Sequence, residues 1–356
     1  MKISDTFLEL EKQYPERKVN SPGITQIFNA VKEQATALGI GVSTQKISVF
    51  NFHVSLLAYI IGSLAIIGLG FFYPWAGFCA GLIFYILLLT EIIRPLFAKL
   101  KTVPSKNLLL TIEARSKETQ RVLVVTDLST DSFIQPPPRL STRPYMITIF
   151  LLGLITVICL GLNSLFTHKF ILLIAVAPVL VIIYLKIFGH TAEGGSETAS
   201  LNNGALMMEL AQILSKGGPF RTSVKFLFTA SGSLNSGVLK VEDLLDSRLS
   251  FNYIIELINR PDKRINIVTA DGLLLPTVKN NPLLVELFME VARSKNIPVQ
   301  EIKLRQVTAA NTLKYKKNKI NTITLTNPLD NYSGADPQKD LRELIMGLIR
   351  KLDHPE

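Results

Sequence analysis

Two long apolar runs, at about 52–94 and 145–188, interrupt a chain that is otherwise polar or alternating. From Ile47 to Thr90 there is no Asp, Glu, Lys or Arg. A membrane-crossing helix needs about 20 mainly apolar residues, so each run predicts a hairpin of two crossing helices. Tyr73-Pro74-Trp75 divides the first run and predicts helices at 53–72 and 75–94, with aromatic residues suited to a headgroup interface at the turn. Asn163 to Lys169 divides the second and predicts helices at 145–162 and 170–188.

Outside these runs the periodicity is that of an α/β domain. Ser21-Pro22-Gly23 opens a helix with Ile24, Ile27, Phe28, Val31, Ala35 and Leu38 on one face, closed by Gly39. Val42 to Phe50 is strand-like. Leu108 to Ile112 and Val122 to Val125 are β-rich runs across a polar turn and are expected to be neighbouring strands. Further along, helix 205–214, strands 224–228, 253–258 and 265–268, helix 282–294, strand 320–325 and helix 337–352 follow one another. Such alternation predicts a mixed sheet with helices on both faces. The expected organisation is one discontinuous domain, 1–51 plus 95–144 plus 189–356, with hairpins 52–94 and 145–188 inserted in its loops.

Composition changes this picture in three ways. A mean hydropathy of +0.32 alongside 19% charged residues fits a mixed membrane and globular protein. The net charge of +10 favours attraction to an anionic bilayer surface over specific nucleic-acid binding. The only cysteines, Cys79 and Cys159, lie in the apolar runs, leaving no disulfide framework or cysteine-rich zinc site elsewhere. The basic residues flanking the spans (Lys46, Arg94, Lys99, Lys101, Arg139, Arg143 and Lys186) lie on the domain side, and the turns carry only Lys169 beside His168. The expectation is a multi-pass protein with its globular part and both termini in the cytoplasm.

Several segments, taken in order, resemble the zinc aminopeptidase family, which includes bacterial leucyl aminopeptidases, glutamate carboxypeptidases, glutaminyl cyclases, the transferrin-receptor ectodomain and nicalin. Pro15-Glu16-Arg17 with Ser21-Pro22-Gly23 is similar to the family's opening. Residues 121–130 are similar to its strand running into a His-x-Asp turn, and 203–214 to the helix after its Asp-bearing loop. Residues 224–233 are similar to the strand ending in its Glu-Glu pair, 254–260 to its Asn-Leu-Asp-Met segment, and 310–326 to its Ser-Asp-His run. The resemblance implies a zinc-exopeptidase-like sheet, with the hairpins falling between the first two strands and between the His-x-Asp turn and the Asp-bearing loop.

That family's co-catalytic site uses two imidazoles, bridging and flanking carboxylates, and a carboxylate that activates water. Carried over by position, the first histidine falls on Asp127 and the bridging aspartate on Thr198 or Ala199, with Glu197 adjacent. The general base falls on Gly232, the ligand glutamate on Ser233, the next aspartate on Glu256 and the last histidine on Thr312. Glu256 alone keeps a matching carboxylate. The four histidines, His53, His168, His190 and His354, lie outside the matching segments, so no metal or other cofactor is expected.

The expected function is therefore a membrane-embedded, catalytically inactive relative that binds or scaffolds another membrane protein. One alternative is a hydrolase with an altered site, built on Asp127, Glu197 and Glu256 around one metal. A small transporter with a regulatory domain is the other, although the spans carry no mid-membrane acidic pair. Lys314, Lys316, Lys317 and Lys319 form a basic cluster that would suit an anionic lipid or acidic peptide.

Overall fold

The computed structural model describes residues 3–15, 17, 21–50, 52–93, 102–129, 142–166, 171, 174–182, 201–219, 221–230, 251–260, 263–271, 278–304, 321–328, 332–334 and 336–353. The chain divides into two compact units, one of Met1–Val49, Pro104–Ser132 and Gly194–Glu356, the other of Phe50–Val103 and Phe133–Glu193.

The described residues of the first unit form a nine-stranded mixed sheet and five helices. In chain order these are α1 (Ile3–Gln13), α2 (Pro22–Ala37), β1 (Gly41–Phe50), β2 (Thr102–Ile112) and β3 (Gln120–Asp127), then α6 (Asn202–Lys216), β4 (Thr222–Thr229), β5 (Phe251–Arg260) and β6 (Ile265–Asp271). β7 (Val278–Lys279), α7 (Pro282–Ser294), β8 (Val299–Leu304), β9 (Asn321–Pro328) and α8 (Pro337–Asp353) complete it. The sheet order is β1-β2-β4-β3-β5-β9-β6-β7, with β8 paired to β6.

β2 and β3 are not neighbours, contrary to the expectation from their sequences. β4 lies between them, antiparallel to β2 and parallel to β3. The polar turn after β2 explains this: Arg115 N donates to Pro219 O (3.1 Å) and Thr119 N to Arg221 O (3.0 Å). Those residues lead into β4, so the turn crosses β4 rather than closing a hairpin.

Strand pleating puts Leu110, Val122, Val124, Phe226, Ile255 and Leu325 on one face, all fully buried. The five described helices bury their apolar residues in this same core, among them Phe7, Ile27, Leu206, Phe288 and Leu344, so they cover one face of the sheet where helices on both faces were expected. Local signals make these helices. Ser21 caps α2 through its hydroxyl, which accepts from Ile24 N, and Asn281 caps α7, accepting from Leu283 N and Leu284 N. Proline at the first helical position of each presets φ where an N–H would be orphaned anyway. Gly204 lets α6 start against α1 and the end of β3, because a Cβ there would stand 2.9 Å from both Phe7 and Leu128.

The second unit is helical: α3 (Phe52–Phe72), α4 (Pro74–Ile93), α5 (Thr142–Phe166) and a helical stretch at 174–182. α3 and α4 are joined by Tyr73 alone. Their close approach needs glycine, since a Cβ on Gly77 would fall 2.3 Å from Gly70 Cα. Pro74 has no N–H for the carbonyl of Gly70 four residues earlier. Asn163 fills that role, its buried Nδ2 donating to Gly70 O at 3.0 Å. Asn163 thus lies inside α5, correcting the expectation that the chain turns there. Among the described residues no helix is long and apolar enough to cross a membrane. The residues described with side chains are 57–72 of α3, 74–87 of α4, and 148 and 150–166 of α5.

Candidate functional site

β3, β4, β5 and β9 run parallel, so their C-terminal ends lie along one edge of the sheet. Ligands of open α/β sheets bind outside such ends, where loops diverge and helix N-termini approach. Asp127 occupies the last position of β3, beside the start of α6.

Asp127 is engaged locally. Its Oδ1 accepts from Ser129 N at 2.8 Å and from Ser129 Oγ at 2.7 Å, a side-chain-to-backbone turn that fixes the carboxylate as the strand ends. Next to it is a cation that sequence reasoning treated only as part of an opening motif. Arg17 is 1% exposed; its Nε donates to Leu128 O at 3.0 Å and its Nη1 to Tyr14 O at 2.9 Å. Burial pushes the guanidinium below its ordinary pKa, while the charges of Glu11 and Asp127 push it back up. Glu11 Oε2 also accepts from Leu201 N at 3.0 Å, so the same group of charges meets the start of α6. An isolated buried charge is costly, and these carboxylates offset that cost for Arg17.

Glu256 lies in β5 opposite Val125 of β3 and Thr324 of β9. Its Oε2 accepts from Thr324 Oγ1 at 3.2 Å. Pleating puts Glu256 and Asp127 on the same face, opposite the helix-packed core, but two positions apart along the sheet. Ideal strand spacing separates their Cα atoms by about 8 Å. At the end of β9, Asn327 Nδ2 donates to Asn203 Oδ1 at 2.8 Å, and both residues are buried. This bond ties the start of α6 to the sheet.

Of the positions carried over from the zinc peptidases, Asp127 and Glu256 are therefore located. Glu197, Thr198, Gly232, Ser233 and Thr312 lie outside the described residues, as do Lys314, Lys316, Lys317 and Lys319. The described residues do not fit a metal pair. Among them no group of three or more His, Cys, Asp or Glu could hold a metal ion, Asp127 and Glu256 each accept from hydroxyl or amide donors, and a guanidinium already supplies positive charge beside Asp127. Arg17, Glu11 and the Asn203–Asn327 pair escaped the sequence reading because each is a polar residue in a polar stretch. Arg17, Asn203 and Asn327 are buried only once the elements have packed together, which no local pattern encodes.

No family model matches the chain, and no curated protein matches it in sequence. In three dimensions it is similar to glutaminyl cyclase from an Acidobacteriales bacterium, at 10% identity and a TM-score of 0.51, covering 99% of this chain and 93% of that one. Bacteroides thetaiotaomicron glutaminyl cyclase bound to N-acetylhistamine is similar at 9% identity and a TM-score of 0.51, covering 98% of this chain and 97% of that one. LapB from Legionella pneumophila is similar at 11% and 0.51, covering 99% and 71% respectively. At such identities the likeness is one of fold alone: the chain carries a mixed α/β sheet of the kind found in the glutaminyl cyclases.

Proposed function

We propose that this chain is a membrane-held protein of the peptidase fold that serves as a binding or scaffolding subunit and does not use metal-dependent hydrolysis. The observation that carries this reading is Asp127. It stands where the resemblance would put the first metal-binding imidazole, and it is committed to Ser129 and balanced by buried Arg17. A dication entering there would meet a buried guanidinium beside a carboxylate whose Oδ1 already accepts two hydrogen bonds. What remains is an edge formed by the C-terminal ends of four parallel strands, which is suited to holding a partner.

Membrane attachment is supported by the second unit's surface. Leu57, Ile61, Leu64, Ile83, Ile86, Ile158 and Leu180 are each more than half exposed. Contiguous apolar surface of this kind marks a membrane or an obligate partner. The lysine cluster at 314–319 is our candidate contact for an anionic lipid or an acidic peptide.

The test is to purify the full chain from membranes in mild detergent and measure zinc, aminopeptidase turnover and co-purifying membrane proteins. The reading expects no stoichiometric zinc, no chelator-sensitive turnover and a constant partner. Two tightly held zinc ions per chain, or a chain that is always alone and monomeric, would overturn it.

A further inference from the structure

Between its helices the second unit has an open-mouthed apolar cavity that the scaffold reading does not use. It has an empty volume of about 530 Å³, counting its mouth, and all four helical segments line it, through Ile66 and Ile67 of α3, Phe84 of α4, Val157 and Leu160 of α5, and Val179 of 174–182. Gly81 and Gly153 remove side chains from two of its walls.

The lining has few polar groups. Two of these hydroxyls are spent within the unit: Thr156 Oγ1 donates to Leu152 O at 2.9 Å, and Tyr85 Oη to Phe150 O at 3.1 Å. Tyr59 and Ser63, one turn apart on α3, form the remaining polar corner. An ordered water needs two to four polar partners, so water does not fill this space well, and an apolar ligand does. The outer face of the same helices is also apolar, with Leu64 63% and Ile83 60% exposed. Inside and outside thus ask for the same phase.

We propose that the cavity holds one hydrocarbon chain, the acyl tail of a bilayer lipid, seated between α3, α4, α5 and 174–182. This rests on the membrane reading above. The tail would be a structural ligand that fills the space between the helices, and its head would stay outside the apolar lining.

The experiment uses the full chain in phosphatidylcholine vesicles doped with a phospholipid carrying a diazirine in its acyl chain. After alkaline carbonate washing and irradiation, adducts are mapped by peptide mass spectrometry. The expected result is labelling of Ile66, Ile67, Val157 and Leu160 in addition to outward Leu64 and Ile83. Val157→Phe and Val179→Phe should lower the inward adducts about tenfold, equivalent to ~1.4 kcal/mol of lost binding, and leave the outward ones unchanged. An excess of unlabelled long-chain alcohol added to the unaltered protein should also deplete the inward set, which keeps the test open if a variant misfolds. Labelling confined to outward residues, or inward labelling indifferent to both the filling variants and the competitor, overturns the cavity proposal alone. A chain that the carbonate wash strips from the vesicles overturns the membrane reading, and the cavity proposal with it.

Discussion

Phe226 of β4 and Leu64 of α3 are both large apolar residues in apolar surroundings, yet Phe226 is 0% exposed and Leu64 63%. The difference runs through the two units. In the sheet unit the large apolar side chains are buried on both faces of the sheet, and among the described residues only Leu8, Ile213 and Leu283 are prominently exposed. In the helical unit they face outward on every helix, while buried Asn163 and Ser164 sit inside it. Burial is favourable because it removes apolar area from water. A unit arranged the other way is stable only where water is not its solvent or where another surface covers it.

Side-chain truncation gives the sharpest way to break this contrast. Phe226→Ala should destabilise the sheet unit by about 4 kcal/mol in denaturant melts, through lost transfer energy and a residual cavity. Leu64→Ala should change stability in detergent by no more than about 0.5 kcal/mol. Comparable losses at both sites would erase the distinction between the units. Next in size, Arg17→Met should cost about 3 kcal/mol by leaving Glu11 and Asp127 without their buried counter-charge. Limited proteolysis should then release α1 from the sheet unit, and unchanged protection of α1 would refute the docking role of this charge.

Smaller effects probe polar contacts within each unit. Asn163→Ala removes the donor that satisfies Gly70 O where Pro74 cannot, and should lower the thermal midpoint in detergent by an amount equivalent to about 1 kcal/mol. Replacing Pro74 with Ala in the same chain should recover part of this loss. The smallest effect is on acidification of the sheet unit. Burial would raise the Glu118 pKa, but hydrogen bonds from Arg121 and Ser223 outweigh burial and hold it below its ordinary value. The stability it contributes is present above the unfolded value of about 4.3 and is lost as pH falls through the lower folded one. Glu118→Gln should flatten that acid limb of the stability curve, and an unchanged limb would rule out this contribution.

How much could be read in advance depended on range. Helix α7 was legible from Pro282 to Ser294, because Asn281 caps it and Leu284, Phe288 and Val291 repeat at helical spacing. β3, β4, β5 and β9 were legible as apolar β-rich runs. Three elements were missed. α1 is short, and Phe7 alone is its fully buried residue. β7 has two residues, and β8 is a polar strand at the margin of the sheet whose pairing with β6 makes it a strand. At the candidate site, Asp127 and Glu256 were named from position, but their hydroxyl partners and the neighbouring guanidinium were not.

By itself the sequence determined the local elements, because apolar period, proline placement and capping side chains act within a few residues. It also determined which carboxylates and histidines the chain has to offer. Only the tertiary structure decided that β4 separates β2 from β3, that Arg17 is buried beside Asp127, and that Asn163 answers for Pro74. Each of these joins groups far apart in sequence, and their free energy comes from desolvation and hydrogen bonding that arise only once the elements have packed.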